Sequence, residues 1–269
     1  MSDARYSRLA ADHLPTDLAQ KWTALLRPCA RLRPATDTEP VVAILGGTPE
    51  LPAGTPWPQW PDRGPLAFIA SVDCAALPRE TLPREFPSDG TLLFFFYDGQ
   101  LDEDVIVSAH DPDTRAGAQI LYVPADTPVT EADTPAPLTA YPCLPLTADV
   151  EESAPDLWLP QARRALLGDT LPWPHPRETP AELRPFVRAF SRMRTSMGHQ
   201  IGGHPIPLQG PVEYEIAHED DEAQRWLLLA QFDSELKMPW ADEGTLYWLI
   251  RPEDLAARRF DLARFTAQC

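Results

Sequence analysis

The sequence offers little that would mark an exported or membrane protein. Its first residues, MSDARYSRLAADHL, lack the apolar centre of a signal peptide, and no stretch approaches the roughly 18 uninterrupted apolar residues of a membrane span. Four cysteines stand far apart and form no C-x-x-C pair; they are Cys29, Cys74, Cys143 and Cys269. We therefore expect a cytoplasmic protein with free thiols and no membrane partner.

Basic residues are also scarce. Lysine and arginine number 23 against 40 aspartates and glutamates, which gives a formal net charge of −17. Such an acidic chain repels phosphate backbones and anionic lipid, so we expect neither nucleic acid nor a membrane surface among its partners. The charge most simply keeps the protein soluble. The alternative is that it attracts a basic protein partner or a cationic ligand.

The common catalytic and cofactor-binding motifs are missing. The sequence has no G-x-x-x-x-G-K-[ST] or G-x-G-x-x-G motif for a phosphate, no H-E-x-x-H motif for zinc and no G-x-S-x-G motif for a nucleophilic serine. Cys74 follows an apolar strand and is expected to be an inert core thiol. The sequence therefore predicts no catalytic residue, no metal and no cofactor.

Proline is abundant instead. The chain has 32 prolines among 269 residues, more than twice the usual share of about 5%. Glycine is not raised with it, at 13 residues, so the sequence is not collagen-like. Many prolines separate hydrophobic segments, as in Leu51-Pro52, Trp57-Pro58 and Leu77-Pro78, and these predict stiff loops and strand ends.

One pattern of motifs occurs twice. A GGxP turn precedes an apolar strand that ends in aspartate, and a strand beginning Gly-Thr-Leu follows. Gly203, Asp233 and Gly244 follow Gly47, Asp73 and Gly90 by 156, 160 and 154 residues. A repeat at so long a period indicates duplication of a half-domain rather than a solenoid.

Hydrophobic patterns predict the elements around these motifs. Apolar runs predict strands at 41–45, 66–72, 92–97, 105–107 and 120–123, and again at 212–217, 226–232 and 245–250. Helical periodicity or capping residues predict helices at 16–29, 161–167, 179–197 and 252–257. The acidic run at 219–222 predicts a hairpin turn.

These elements predict a single α+β domain over 1–269, built mainly from antiparallel sheets with a pseudo-two-fold duplication and a few peripheral helices. The repeat units are about 40–123 and 199–269. Between them lies a proline-rich and helical insertion, 124–198. Its part 124–160 is too apolar for a mobile linker, and we expect an ordered segment that crosses between the units.

The ordered set of motifs resembles the YwqG-like family of bacterial proteins. The matching stretches are GGTPELPAGTPWP, GPLAFIASVD, DGTLLFFFYD, HQIGGHPIPLQG, LLLAQFDSE and WADEGTLYWLIRPEDLAARRF, about half the chain. The resemblance implies a cytoplasmic, β-rich protein without an established activity, and an immunity-like role beside toxin genes for some members. Ala241 replaces a usual glycine and Glu235 a common aspartate, which puts a shared ligand role for that loop in doubt.

Six residues are candidates for a ligand-binding site. Asp73 and Asp233 end equivalent strands. If the halves bring them together, they can act as acid and base or bind a hard cation; alternatively, each accepts hydrogen bonds within its own turn. His199 and His204 flank a glycine pair and could bind a metal, or belong to a polar loop. Loop tryptophans, Trp57 and Trp240 among them, line a groove or cap the core.

Together these observations favour a non-catalytic binding or interaction protein, with a basic protein as its partner. The alternative is a metal-dependent or acid/base hydrolase-like enzyme that uses Asp73 and Asp233. The sequence leaves the oligomeric state open.

Overall fold

A computed structural model describes residues 4–168, 179–193, 198–217, 219–240 and 243–269. The helices are α1 Arg5–His13, α2 Thr16–Thr23, α3 Pro160–Leu167, α4 Arg184–Met193, α5 Val212–Ile216, α6 Asp220–Ala223 and α7 Pro252–Ala256. The strands are β1 Arg27–Pro34, β2 Ala43–Leu45, β3 Glu50–Pro52, β4 Gln59–Trp60, β5 Gly64–Pro65, β6 Ala67–Asp73, β7 Thr91–Phe96, β8 Ala118–Val123, β9 Val129–Glu131, β10 Leu144–Ser153, β11 His199–Ile201, β12 Leu227–Asp233, β13 Thr245–Ile250 and β14 Arg264–Gln268.

Ten strands form one sheet in the order β14-β13-β12-β11-β1-β10-β2-β6-β7-β8. All of its neighbouring strands pair antiparallel. Two short ribbons, β3–β9 and β4–β5, lie outside it. The α+β class with mainly antiparallel sheets is therefore confirmed. No helix in the described part of the chain combines the length and apolar character needed to cross a bilayer.

The sheet divides into two runs of five strands with matching order. We call β2, β6, β7, β8 and β10 the first half, and β1 with β11 to β14 the second half. In both halves the first glycine of the pair donates its amide hydrogen to the bulged residue of the neighbouring strand in the sheet, β6 or β12. Gly46 donates to the carbonyl of Ile69 at 2.8 Å, and Gly202 donates to the carbonyl of Leu229 at 3.4 Å. The topology thus places the two motif sets in equivalent positions, while the bounds of the repeat units stay a prediction.

A single aromatic core joins the halves. The sheet curves so that Phe94 of β7 meets Phe232 of β12 and Trp248 of β13, with ring centroids 5.2 and 5.1 Å apart. Phe94 and Trp248 occupy corresponding positions in the two motif sets, and their contact joins the two halves. Rings packed edge to face at this spacing add to the stabilisation from burial.

The N-terminal helix is shorter than its pattern predicts. The prediction of a helix over 16–29 is wrong beyond Thr23, because α2 ends there and Cys29 lies in β1. Pro28 has no amide hydrogen and disfavours helical backbone at the preceding residue, so the chain becomes extended. Strand β1, which the sequence analysis misses, then lies at the centre of the sheet between β10 and β11.

Three further predictions are wrong in detail. Residues 105–107 form no strand, and Ile106 lies in an exposed loop. Residues 212–216 form α5 instead of a strand, because Val-Glu-Tyr-Glu-Ile also places Val212 and Ile216 on one helical face, where both pack in an apolar cluster. In the acidic run 219–222, Glu219 precedes α6 and the other three residues form its first turn, in place of the predicted hairpin turn.

The proline-rich insertion is ordered where the structure describes it. Its long strand β10 pairs with both β1 and β2, so this part of the segment belongs to the sheet, while its crossing between the repeat units stays a prediction. The predicted helix at 161–167 is α3, and Phe186 and Phe190 of α4 are buried as predicted. Residues 169–178 and Met197 lie outside the described residues.

Candidate functional site

Asp73 ends β6 and caps the turn that follows. Its Oδ1 accepts hydrogen bonds from the backbone amides of Ala75 at 2.9 Å and Ala76 at 3.3 Å. This is Asx-turn geometry, in which a carboxylate replaces backbone partners at the end of a strand. The side chain is exposed, and no hydrogen bond among the described residues engages its Oδ2.

Asp233 occupies the equivalent turn in the second half. Its Oδ1 accepts hydrogen bonds from the amide of Ser234 at 3.1 Å and from the hydroxyl of Thr245, on the adjacent strand, at 2.8 Å. No contact within the described ranges joins the carboxylates of Asp73 and Asp233. Each is instead engaged by its own turn.

His199 lies at the start of β11 with both ring nitrogens in use. Its Nδ1 accepts a hydrogen bond from the amide of Asp233 at 3.1 Å, and its Nε2 lies 3.0 Å from Oε1 of Glu235. A nitrogen that accepts carries no proton, so the neutral ring donates from Nε2 to Glu235. Burial lowers the pKa of His199, and the Glu235 carboxylate opposes that effect. The contact with Asp233 involves its backbone and not its carboxylate.

His204 serves a different part of the core. Its Nε2 lies 2.9 Å from the carbonyl of Leu25, and its amide donates to the hydroxyl of Ser153 at 2.8 Å. Burial, reinforced by the charge of Arg27, lowers the pKa of His204 to about 3. A neutral imidazole that donates to a backbone carbonyl ties the α2–β1 connection to the turn after β11.

The two candidate tryptophans pack against aromatic neighbours. Trp57 donates from Nε1 to the carbonyl of Leu66 at 2.8 Å and lies edge-on to Phe95. Trp240 is fully buried and contacts the ring of Tyr141 at 5.5 Å. Trp57 is therefore partly buried against the core and Trp240 is wholly within it.

Metal-binding and thiol chemistry find little support in the described residues. Within them, no group of three or more His, Cys, Asp or Glu side chains is arranged to hold a metal ion. Cys74 is fully buried, and burial, with the nearby charge of Asp73, raises the pKa of its thiol to about 12. A thiol with so high a pKa stays protonated at neutral pH and is a poor nucleophile.

The largest cavity that we describe lies where the two halves meet. We call it the inter-half cleft; its volume is about 700 Å³. The first half supplies the end of β7 and the loop after it, and the second half supplies Pro239 and the end of β14. Its lining residues are Phe96, Tyr97, Asp98, Gly99, Glu103, Asp104, Val105, Ile106, Val107, Pro239, Ala267 and Cys269.

The cleft combines carboxylates with exposed apolar surface. Asp98 is held in place, because its Oδ2 accepts hydrogen bonds from the hydroxyl of Tyr141 at 2.6 Å and from Nε2 of Gln100 at 2.7 Å. Burial, followed by the Asp98 charge, raises the pKa of Tyr141, so this hydroxyl remains a donor. None of the ion pairs among the described residues involves Asp98, Glu103 or Asp104.

Ile106 stands beside these carboxylates with 74% of its surface exposed. This cleft is not among the sites predicted from the sequence, although the run DGQLDEDVIV at 98–107 indicates it: three acidic residues stand directly before an apolar triplet. A predicted strand at 105–107 would have paired these apolar side chains within the sheet. Their place in a loop exposes Ile106 instead.

The fold and the cleft define an α+β protein whose single curved sheet carries an acidic, partly apolar cleft between its halves. Residues 44–269 match the model of a family described as a domain of unknown function, DUF1963. The match covers most of the chain, and the protein belongs to the DUF1963 family. A search of curated proteins gives no match.

Proposed function

We propose that the chain is a YwqG-like member of its family and acts in the cytoplasm as a non-catalytic binding protein, with a basic segment of a partner protein in the inter-half cleft. The observation that carries this proposal is the group of carboxylates around the exposed side chain of Ile106, none of which forms an ion pair with another described residue. An immunity-like role, in which the partner is a basic toxin, is one form of the same proposal.

The cleft suits a partner that has both charge and apolar surface. Exposed ion pairs contribute only about 0–1 kcal/mol each, so charge alone gives weak affinity and fast encounter. Burying a side chain such as Ile106 against a partner adds roughly 1.5–3 kcal/mol. A segment that alternates lysine or arginine with leucine satisfies both requirements.

The hydrolase-like alternative depends on Asp73 and Asp233 acting in one site. Each carboxylate instead accepts hydrogen bonds within its own turn, and neither ring nitrogen of His199 is left open for a metal. No specific observation among the described residues therefore favours this second function.

Binding of a labelled peptide tests the proposal. The probe is a fluorescein-labelled 12-residue peptide of alternating lysine and leucine, followed by fluorescence anisotropy at low salt. We expect saturable binding, at least tenfold weaker for the double variant Glu103→Gln/Asp104→Asn and about threefold or more weaker for Ile106→Ser. Added NaCl should weaken binding further, because it screens exposed charges.

The matched control is Asp37→Asn/Glu182→Gln, which removes the same charge from exposed residues outside the cleft. We expect this variant to bind the probe as the parent protein does. Equal weakening by the two double variants would show that net charge alone attracts the peptide, and the proposal would then be wrong.

A further inference from the structure

A second cavity lies on the first half, away from the inter-half cleft. It is bounded by β2, β6 and β7 on one side and by the β3–β9 ribbon on the other, and we call it the ribbon cleft. Its volume is about 310 Å³. Apolar walls from Ile44 and Leu93 meet polar groups from Glu50, Ser71 and Asp73.

The corresponding place in the second half is filled. Gln231 stands where the first half has Ser71, and it is fully buried. Its Oε1 accepts a hydrogen bond from the amide of Ile206 at 2.9 Å, and its Nε2 donates to the carbonyl of Gly198 at 2.8 Å. In the first half the shorter serine leaves this volume open. Glu50 occupies the sequence position that corresponds to Ile206, and it adds a carboxylate to the lining of the ribbon cleft.

The halves also differ in an Asp–Thr pair that faces across two adjacent strands, β12 and β13 in the second half and β6 and β7 in the first. Asp233 and Thr245 are paired across the ladder and joined by a hydrogen bond of 2.8 Å, with Thr245 fully buried. Asp73 and Thr91 are paired across the ladder as well, but no hydrogen bond among the described residues joins them. Asp73 and Thr91 both line the ribbon cleft. The polar groups that bind each other in the second half therefore face a cavity in the first half.

We propose that the ribbon cleft binds a primary ammonium group on an alkyl chain. The ammonium donates to the Oδ2 of Asp73, to the hydroxyl of Thr91 and to the carboxylate of Glu50. Three such acceptors match its three hydrogens. The methylene groups contact Ile44 and Leu93. None of the ion pairs among the described residues occupies Asp73 or Glu50.

Two kinds of ligand carry a primary ammonium group on an alkyl chain: a free alkyl diamine and a lysine side chain of a protein. The proposal does not depend on the function assigned to the inter-half cleft, because the two cavities share no lining residue. Anionic and neutral ligands of similar size lack the charge that Asp73 and Glu50 complement.

Calorimetric titration of the full chain tests the site. The probes are cadaverine and the peptide acetyl-Gly-Lys-Gly-amide, each compared with its fully N-acetylated form (N,N'-diacetylcadaverine and the peptide acetylated on Nζ of lysine), which carries no ammonium group. We expect saturable binding of at least one charged probe, reduced tenfold or more for its acetylated form. Binding of cadaverine indicates a free amine as the ligand, and binding of the peptide alone indicates a protein lysine.

Three variants locate the binding. Asp73→Asn keeps the Oδ1 acceptor of the turn and should weaken binding tenfold or more, whereas Asp233→Asn, the same change in the second half, should leave the affinity unchanged. Ser71→Gln introduces the side chain that fills the second half and should abolish binding. Circular dichroism confirms that each variant is folded.

The proposal is overturned if neither charged probe binds saturably, or if Asp73→Asn and Asp233→Asn have the same effect. Full affinity in a folded Ser71→Gln protein also overturns it. The lysine–leucine peptide carries lysines that suit either cleft, so the variants separate the two sites: Glu103→Gln/Asp104→Asn should change binding in the inter-half cleft alone, and Asp73→Asn should change binding in the ribbon cleft alone.

Discussion

At the scale of single residues, the buried imidazole of His204 couples the stability of the fold to pH. Its pKa of about 3 in the folded protein lies below the ordinary value of 6.5, chiefly because of burial. A group with a lowered folded-state pKa of this kind binds its proton more readily in the unfolded chain. Its stabilising contribution is therefore complete above about pH 6.5 and is lost as the pH falls toward 3.

We expect the free energy of unfolding to drop between pH 6.5 and pH 4.5 by about 2 kcal/mol more in the parent protein than in His204→Gln. Urea denaturation at a series of pH values measures this difference. His13→Gln, at an exposed position of α1, should retain the steep dependence of the parent protein. Parallel curves for His204→Gln and the parent protein would contradict the prediction.

A second residue-scale prediction concerns the glycine pairs. Gly203 has a φ of +73°, and a Cβ there would lie 2.4 Å from the hydroxyl oxygen of Ser153 and 2.7 Å from Cβ of Cys29. Gly54 has a similar φ of +81° with open space around it. We expect Gly54→Ala to cost roughly 1–2 kcal/mol of stability and Gly203→Ala about 1–3 kcal/mol more, because only the latter adds overpacking. Thermal and urea unfolding measure both; equal losses would count against the clash.

At the scale of elements, the fold depends on β1. Ala30 is fully buried and pairs with Val150 on one side and Ile201 on the other. Proline there removes a ladder hydrogen bond from a central strand, so we expect Ala30→Pro to cost about 3 kcal/mol or more, or to prevent folding. The measurements are soluble yield and the unfolding midpoint in urea.

Ala53→Pro is the matched control for Ala30→Pro. Ala53 is the second residue of a turn in which the amide of Thr55 donates to the carbonyl of Pro52 at 3.0 Å. Proline is favoured at this position and Gly54 supplies the positive φ that follows, so stability should change little. A comparable loss in both variants would mean that proline itself, and not the ladder of β1, is responsible.

The elements also differ in how well the sequence predicts them. Strands β6 and β12 are recognisable because each is a mostly apolar run, with one polar residue (Ser71 or Gln231), that ends at an aspartate. Strand β1 is missed because Arg31 and Arg33 interrupt its apolar residues, and its partners lie far away in the sequence. Helix α5 is missed because, over five residues, a period of two and an i, i+4 pair fit the same letters.

The two candidate sites also differ in how far the sequence predicts them. Comparison of the two motif sets identifies Asp73 and the equivalent Asp233, and therefore one wall of the ribbon cleft. It does not find the inter-half cleft, because this depends on the curvature that brings the loop at 98–107 beside Pro239 and the end of β14. Such a site becomes visible only when distant segments are placed in space.

At the scale of the whole molecule, the net charge of −17 opposes the compact state. Salt shortens the range of this repulsion to about 10 Å at 0.1 M. We expect the melting temperature at pH 7 to rise by a few degrees between 20 and 200 mM NaCl, as measured by differential scanning calorimetry. The increase should shrink near the isoelectric point, and a fall in melting temperature at pH 7 would contradict this account.

The central place of β1 has a consequence for how the chain acquires its structure. The ribosome synthesises β1 before Val150 and Ile201, with which its residue Ala30 pairs. The backbone groups of β1 therefore lack their native hydrogen-bond partners during much of synthesis. Pairings between residues so distant in sequence give a high contact order, and such chains fold slowly because loop closure precedes the gain from contacts. The nascent chain therefore carries an unpaired strand for longer than a meander of neighbouring strands would, and the arginines and prolines within β1 are residue types that disfavour pairing of such a strand with other chains.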